Sequence, residues 1–178
     1  MLDKVKQFVN KAFKKKNVAH FERTIYWVKY LKPEADEAML IAAYAHDIER
    51  AFRKENAEEK SFASGEILET HQKEGGKIIY DFLIKEGADE KFAKRVEELI
   101  SKHENGGTED QNIIKDADSI SYFENNAERH VNWIKTKGFT KEEIKRKFDW
   151  MYGRISSKKA KKIVLPMYKK AIKLMGSY

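Results

Sequence analysis

The chain has 178 residues, which is enough for one compact domain with a single core but short for two full domains. Hydrophobic residues make up 41% and charged residues 37%, and no apolar stretch approaches the roughly 20 residues of a membrane span. Because cysteine is absent, disulfides and thiolate ligands are excluded. We therefore predict one domain over residues 1–178 with no membrane contact. The lack of an apolar leader segment predicts a cytoplasmic location.

The net charge of +7 indicates affinity for anions such as phosphates, nucleotides and nucleic acid. Acidic residues are interspersed with the lysines over most of the chain, however, which is typical of solvated helix faces. We therefore expect the positive charge to be mainly nonspecific surface charge, with a nucleic-acid-binding surface as the weaker alternative. The pattern leaves the oligomeric state open.

Apolar residues recur at three- and four-residue spacing along the chain, which predicts amphipathic helices throughout. Thr140 and Glu143 form a capping-box pattern at one helix start, and Pro166 predicts a kink in the last helix. A loop is expected over residues 53–60. The predicted helices cover about residues 3–15, 20–32, 36–52, 61–69, 71–85, 89–103, 110–123, 140–152 and 157–175. The predicted fold class is an all-α, single-domain helical bundle.

The most informative pair is His46-Asp47, which closes the apolar run 38–45. An imidazole and a carboxylate at the end of a buried segment need partners, because an unpaired charge there costs several kcal/mol. A metal ion is the simplest partner. The other candidate ligands lie at helix ends or in the first half of a helix, and they are His20, His71, His103 and Asp118. His130, the fifth histidine, is predicted to be a surface residue.

These side chains suit either one ion or two. Three or four ligands hold one ion and leave a position for water, whereas six with one shared carboxylate can hold two. Adjacent residues on a helix diverge by about 100°, so His46 and Asp47 do not both face one ion squarely. Asp47 has two carboxylate oxygens and is the predicted bridge.

Three segments resemble the HD-domain metal-dependent phosphohydrolases. They are His20-Phe-Glu-Arg23, His46-Asp47-Ile48 and Lys115-Asp-Ala-Asp118-Ser-Ile. His71 and His103 fall between the second and third segments, as in the binuclear branch of that superfamily. The resemblance covers about residues 18–125, and the helices of residues 126–178 are expected to pack on this core.

The resemblance implies an HD-type helical fold with ligands for two metal ions. The first ion would be held by His20, His46, Asp47 and Asp118. The second would be held by His71 and His103 together with the bridging Asp47. Asp116 would orient a ligand or a water, or exchange roles with Asp118.

The resemblance also implies residues for the reaction. The implied catalytic residues are Asp47, Arg50, Arg23 and Lys115. This sequence has Glu49-Arg50 where many members carry Gly-Lys, and the Arg50 guanidinium can bind phosphate through two nitrogens. Arg23 either contacts substrate or pairs with a carboxylate such as Glu22 or Glu124.

The activity implied by the resemblance is that of a metal-dependent phosphohydrolase, in which a metal-activated water attacks a nucleotide or another small phosphate ester. Two divalent transition metal ions are the expected cofactors. Imidazole and carboxylate ligands favour iron or manganese, with cobalt, nickel or zinc as alternatives. Two other functions stay open: a di-iron oxygenase on the same fold, and a noncatalytic module that binds phosphate or nucleic acid.

Overall fold

The structure is a computed structural model, and it describes residues 1–53 and 65–177. All regular secondary structure in these residues is helical, which confirms the predicted all-α class. The α-helices are α1 (Leu2–Ala12), α2 (Val18–Leu31), α3 (Glu37–Ala45), α4 (Gly65–Lys85), α5 (Glu90–Ile100), α6 (Glu109–Asn125), α7 (Ala127–Thr136), α8 (Lys141–Gly153) and α9 (Lys158–Gly176). A 3₁₀ helix, Ile48–Phe52, follows α3.

Helix starts follow local capping chemistry. The predicted box at α8 is present, with the Thr140 hydroxyl accepting from the Glu143 N–H and the Glu143 carboxylate accepting from the Thr140 N–H. Thr108 and Gln111 form a second box before α6. The Asp89 carboxylate caps α5, as expected from its position before an apolar-periodic run.

The predicted helices differ from the structure in three places. The predicted helix 36–52 is two elements, because α3 ends at Ala45 and the chain tightens into 3₁₀ geometry after Asp47. Residues 127–136 form α7, where the sequence analysis placed no helix. The described part of the predicted helix 61–69 is continuous with the next one in α4. Residues 61–64, and the predicted loop beyond Arg53, lie outside the described residues.

The packing places α3 at the centre of the molecule. All of its residues except Glu37 and Leu40 are buried, since α1, α2, α5 and α6 all contact it. A helix that is apolar on nearly every side is stable in this way only inside a core. The C-terminal end of α3, with His46 and Asp47, is thereby held within reach of α2, α5 and α6.

The C-terminal helices form a second layer on this core. α9 packs along α6 and contacts α7 and α8. Within the described residues, no helix has the combined length and apolar character that crossing a bilayer requires.

Candidate metal centre

One cluster of possible metal ligands joins α2, the end of α3 and α6. His20 Nε2 lies 3.1 Å from Asp118 Oδ1, and His46 Nε2 lies 3.4 Å from the same oxygen. One ligand atom from each of the three side chains lies within 4.8 Å of the others, and all three residues are buried. The three side chains can therefore hold a single ion.

A second cluster lies beside the first and consists of Asp47, His71 and His103. His71 Nε2 is 3.1 Å from Asp47 Oδ1, while Asp47 Oδ2 is 3.8 Å from His46 Nε2 in the first cluster. The structure thus brings all six predicted ligands together and places Asp47 between the two groups. Asp47 is the one carboxylate of the six predicted ligands that lies near histidines of both groups.

Hydrogen bonds at the outer ring nitrogens orient all four histidines in the same way. Ser121 Oγ donates its only hydrogen to the His20 carbonyl at 2.8 Å, so it must accept from His20 Nδ1, also at 2.8 Å. The other three Nδ1 atoms face groups that only accept. They are His46 Nδ1 to Ala43 O at 2.9 Å, His103 Nδ1 to Ile100 O at 2.8 Å and His71 Nδ1 to Glu49 Oε2 at 2.6 Å. When a ring is neutral, its Nε2 therefore carries the lone pair toward the clusters, as metal-binding histidines require.

Two of these inner nitrogens fit a metal ion better than they fit their present neighbours. His46 Nε2 and His103 Nε2 are buried and make no hydrogen bond to a described residue. Buried nitrogen atoms without a partner are rare, because each one costs desolvation energy. The donor set is imidazole and carboxylate only, which suits a divalent transition metal.

The charges of the two clusters support the same conclusion. Burial raises the pKa of Asp47, but Arg50 and His46 outweigh it and hold that pKa well below its usual value. Burial lowers the pKa of His46, yet the negative charges of Asp118 and Asp47 raise it to about 9. Both carboxylates are therefore ionised in a buried space, where Arg50, Arg154 and His46 balance their charge and a metal ion could do the same.

Glu49, which the sequence analysis did not count as a site residue, holds His71 in place. Its carboxylate accepts from His71 Nδ1 and also from Arg53 Nε at 2.7 Å. Burial opposes ionisation of Glu49, but hydrogen bonds from His71 and Arg53 lower its pKa. Glycine, which stands at this position in the pattern that the sequence resembles, has no side chain for this bond.

Arg154, directly after α8, is the second site residue that sequence reasoning missed. Its guanidinium pairs with Glu104 through one terminal nitrogen and with Asp118 through the other. Its Nε donates to Ser119 Oγ at 2.8 Å, and the group stacks 4.6 Å from the Trp150 ring centroid. Arg154 therefore links the C-terminal helices to Asp118 of the first cluster and to Glu104, whose carboxylate lies 3.6 Å from His103 Nε2. No motif or periodic position in the sequence marks it.

The implied catalytic residues separate into two sets. Asp47 and Arg50 are at the site, where Arg50 Nε lies 2.6 Å from Asp47 Oδ1. Arg23 instead donates to Glu124 at 2.8 Å and stacks on Tyr26 at 3.9 Å, which agrees with the carboxylate-pairing alternative.

Lys115 and Asp116 are placed away from the clusters. Lys115 Nζ donates to Ser156 Oγ at 2.7 Å and lies 3.2 Å from Asn112 Oδ1. Asp116 accepts from the backbone N–H groups of Ser156 and Ser157 at 2.7 and 2.8 Å, where α9 begins. The expectation that Asp116 orients a metal ligand is therefore wrong, and Asp118 is the residue that joins the histidines.

His130 is buried, so its prediction as a surface residue is also wrong. The ring packs 4.3 Å from Trp133, centroid to centroid, and its Nδ1 is 2.6 Å from the Tyr122 hydroxyl. Burial lowers the pKa of His130, so the ring is neutral and the hydroxyl donates to it. These three residues line a cavity that also contains His20, Asp47 and Asp118.

The fold is similar to that of a predicted HD superfamily hydrolase from an uncultured Thermotogales bacterium, known from a crystal structure at 1.45 Å resolution. The two chains are 18% identical, and the similarity covers 99% of this chain and 90% of the other with a TM-score of 0.62. The protein therefore has an HD-type helical fold. Residues 2–173 match the family described as a domain of unknown function, DUF4202, and the chain belongs to that family. No curated protein matches the chain.

Proposed function

We propose that this protein is a metal-dependent phosphohydrolase that acts on a nucleotide or another small phosphate ester. The observation that carries the proposal is the shared orientation of the four buried histidines, whose Nδ1 atoms are hydrogen-bonded on the outside and whose Nε2 atoms face the carboxylates of Asp47 and Asp118. The fold it shares with a predicted HD superfamily hydrolase supports the same reading.

The residues suit two ions better than one. His20, His46, Asp47 and Asp118 would hold the first, and His71, His103 and the shared Asp47 would hold the second. When bound, divalent ions would acidify a water molecule and neutralise phosphoryl oxygens. Iron or manganese fits this donor set best, ahead of cobalt, nickel or zinc.

The chain itself supplies positive charge beside the clusters. Arg50 lies against Asp47, and its terminal nitrogen is 3.6 Å from Glu104 Oε1. Its planar guanidinium can turn toward a phosphate and offer two donors. Hydrolysis of the ester consumes water and releases phosphate and an alcohol. The negative charge that these cations would stabilise during the reaction lies on the phosphoryl oxygens.

The same ligand set would suit a di-iron oxygenase, which is the runner-up. The cations Arg50 and Arg154 at the site favour an anionic substrate and therefore the hydrolase. Oxygen dependence separates the two activities, because ester hydrolysis does not consume oxygen.

The test combines elemental analysis of the purified protein with a screen of phosphorylated metabolites in the presence of iron, manganese or cobalt. We expect bound transition metal, and phosphate release that persists without oxygen. His46→Ala should lose both metal and activity. His130→Ala is the matched control for metal content, since it removes a buried histidine outside the two clusters. A protein that binds no transition metal, or metal content unaffected by His46→Ala, would contradict the proposal.

A further inference from the structure

The cavity at the metal centre is small. It has room of about 70 Å³ for water-sized molecules. Pockets for drug-sized ligands typically measure about 300–1,000 Å³, so this cavity suits a compact group such as one phosphate. A nucleoside would have to remain outside the described cavity.

The wall on the side of α6 and α7 is braced against expansion. The Tyr122 hydroxyl is bonded to His130, and His130 packs on Trp133. Trp133 in turn packs at 5.4 Å against Phe139 and carries the Lys137 ammonium 4.2 Å from its ring centroid. Enlarging the cavity on this side would break these contacts, so this wall limits the width of a group that binds there.

The charge lining the cavity is positive before any metal ion is counted. Its cationic side chains are Arg50, Arg129, Lys147 and Arg154. Its carboxylates are Asp47, Glu104 and Asp118. Four against three leaves a net charge of +1 on these described residues, and each divalent ion adds two more. A phosphate monoester carries nearly two negative charges at pH 7, since its second pKa is about 6, whereas a diester carries one.

We propose that the cavity selects phosphate monoesters and terminal phosphoryl groups over internal phosphodiesters. This inference rests on the proposed function and names its substrate class. A terminal phosphate enters the narrow cavity end-on, with the rest of the molecule at the mouth. An internal diester would need room for an organic group on each side of the phosphorus. Arg129 and Lys147, from α7 and α8, are the specificity-determining cations.

The test uses two unreactive probes, difluorinated methylphosphonate (called methylphosphonate below), whose fluorines keep it dianionic at pH 7, and dimethyl phosphate; both are titrated calorimetrically at pH 7 into the protein as purified and after addition of Mn²⁺. We expect methylphosphonate to bind at least tenfold more tightly than dimethyl phosphate. Arg129→Gln and Lys147→Gln should each weaken methylphosphonate binding by about tenfold, the effect of one lost charge-assisted hydrogen bond. Arg146→Gln removes the same charge from α8 outside the cavity lining and should leave binding within about twofold.

Thermal unfolding of each variant shows whether the fold is kept, and Arg129 is exposed, so its variant tests the idea even if Lys147→Gln is unstable. Equal or tighter binding of dimethyl phosphate, or no binding of either probe, would overturn the inference. Faster hydrolysis of diesters than of monoesters would also overturn it while leaving the phosphohydrolase proposal intact. Tight methylphosphonate binding without hydrolysis of any ester would sustain this selectivity and refute the proposed function.

Discussion

Replacing Asp116 should destabilise the protein without removing metal. The Asp116 carboxylate is buried and accepts two backbone hydrogen bonds, from Ser156 at 2.7 Å and Ser157 at 2.8 Å. A hydrogen bond to a charged group contributes about 1.5–3 kcal/mol, so the two together contribute about 3–6 kcal/mol. Ser156 is exposed, so water recovers part of this in the variant. For Asp116→Ala we expect a loss of about 3 kcal/mol in the free energy of unfolding.

Urea unfolding followed by circular dichroism measures this loss. With a slope of about 2 kcal/mol/M, the midpoint should fall by about 1.5 M. Asp116→Asn keeps one acceptor oxygen and should show roughly half the shift. Metal content should stay unchanged in both variants, whereas Asp118→Asn should lose metal. An unchanged midpoint for Asp116→Ala would refute the stabilising role of its hydrogen bonds to the start of α9. Loss of metal from a stably folded variant would refute the conclusion that Asp116 is not a metal ligand.

Three further predictions follow from individual contacts. Glu49→Gln removes the charged acceptor that orients His71. In a chelator competition assay, metal affinity should fall by about 10- to 100-fold while the fold is retained. Unchanged affinity would contradict this role. Arg154→Lys keeps the charge but cannot pair with Glu104 and Asp118 at the same time through two terminal nitrogens. The free energy of unfolding should therefore fall by about 1–2 kcal/mol. Equal stability would mean that this double pairing is not needed. At Gly76 an added Cβ would lie 2.8 Å from a backbone carbonyl of α5, whereas at Gly75 its nearest neighbour lies at 3.4 Å. Thermal unfolding should therefore show Gly76→Ala to be destabilised by about 1–3 kcal/mol and Gly75→Ala to be close to neutral, and the reverse order would refute the packing argument.

The fold class could be predicted because its signals are local. Apolar periodicity, the Thr140 capping box and the apolar run before His46 each depend on neighbouring residues. The helix α7 was missed because its start carries no side-chain cap, and two of its buried positions hold His130 and Trp133. Those side chains do not form an aliphatic stripe, so the periodic signal is weak.

The six candidate ligands could be named from the sequence because each sits in a motif or near a helix end. Their surroundings could not, because those depend on contacts between distant segments. Ser121 orients His20 through a hydrogen bond although it lies 101 positions further along the chain. Asp116 differs from Asp118 only in which face of α6 it occupies, and the packing of α9 on that helix decides which one meets the histidines.

Residues 126–178, which were predicted to pack on the core, also contribute side chains to the candidate site. Arg154 pairs with Glu104 and Asp118, and Lys147 lines the same cavity. A buried carboxylate stripped of its cationic partner costs about 3–5 kcal/mol, because neither water nor another charge replaces the lost attraction. A chain ending at residue 125 would keep all six candidate ligands yet leave Glu104 and Asp118 without that partner. The C-terminal helices therefore belong to the charge balance of the candidate site, and a definition of the site by its motif residues alone leaves that balance out.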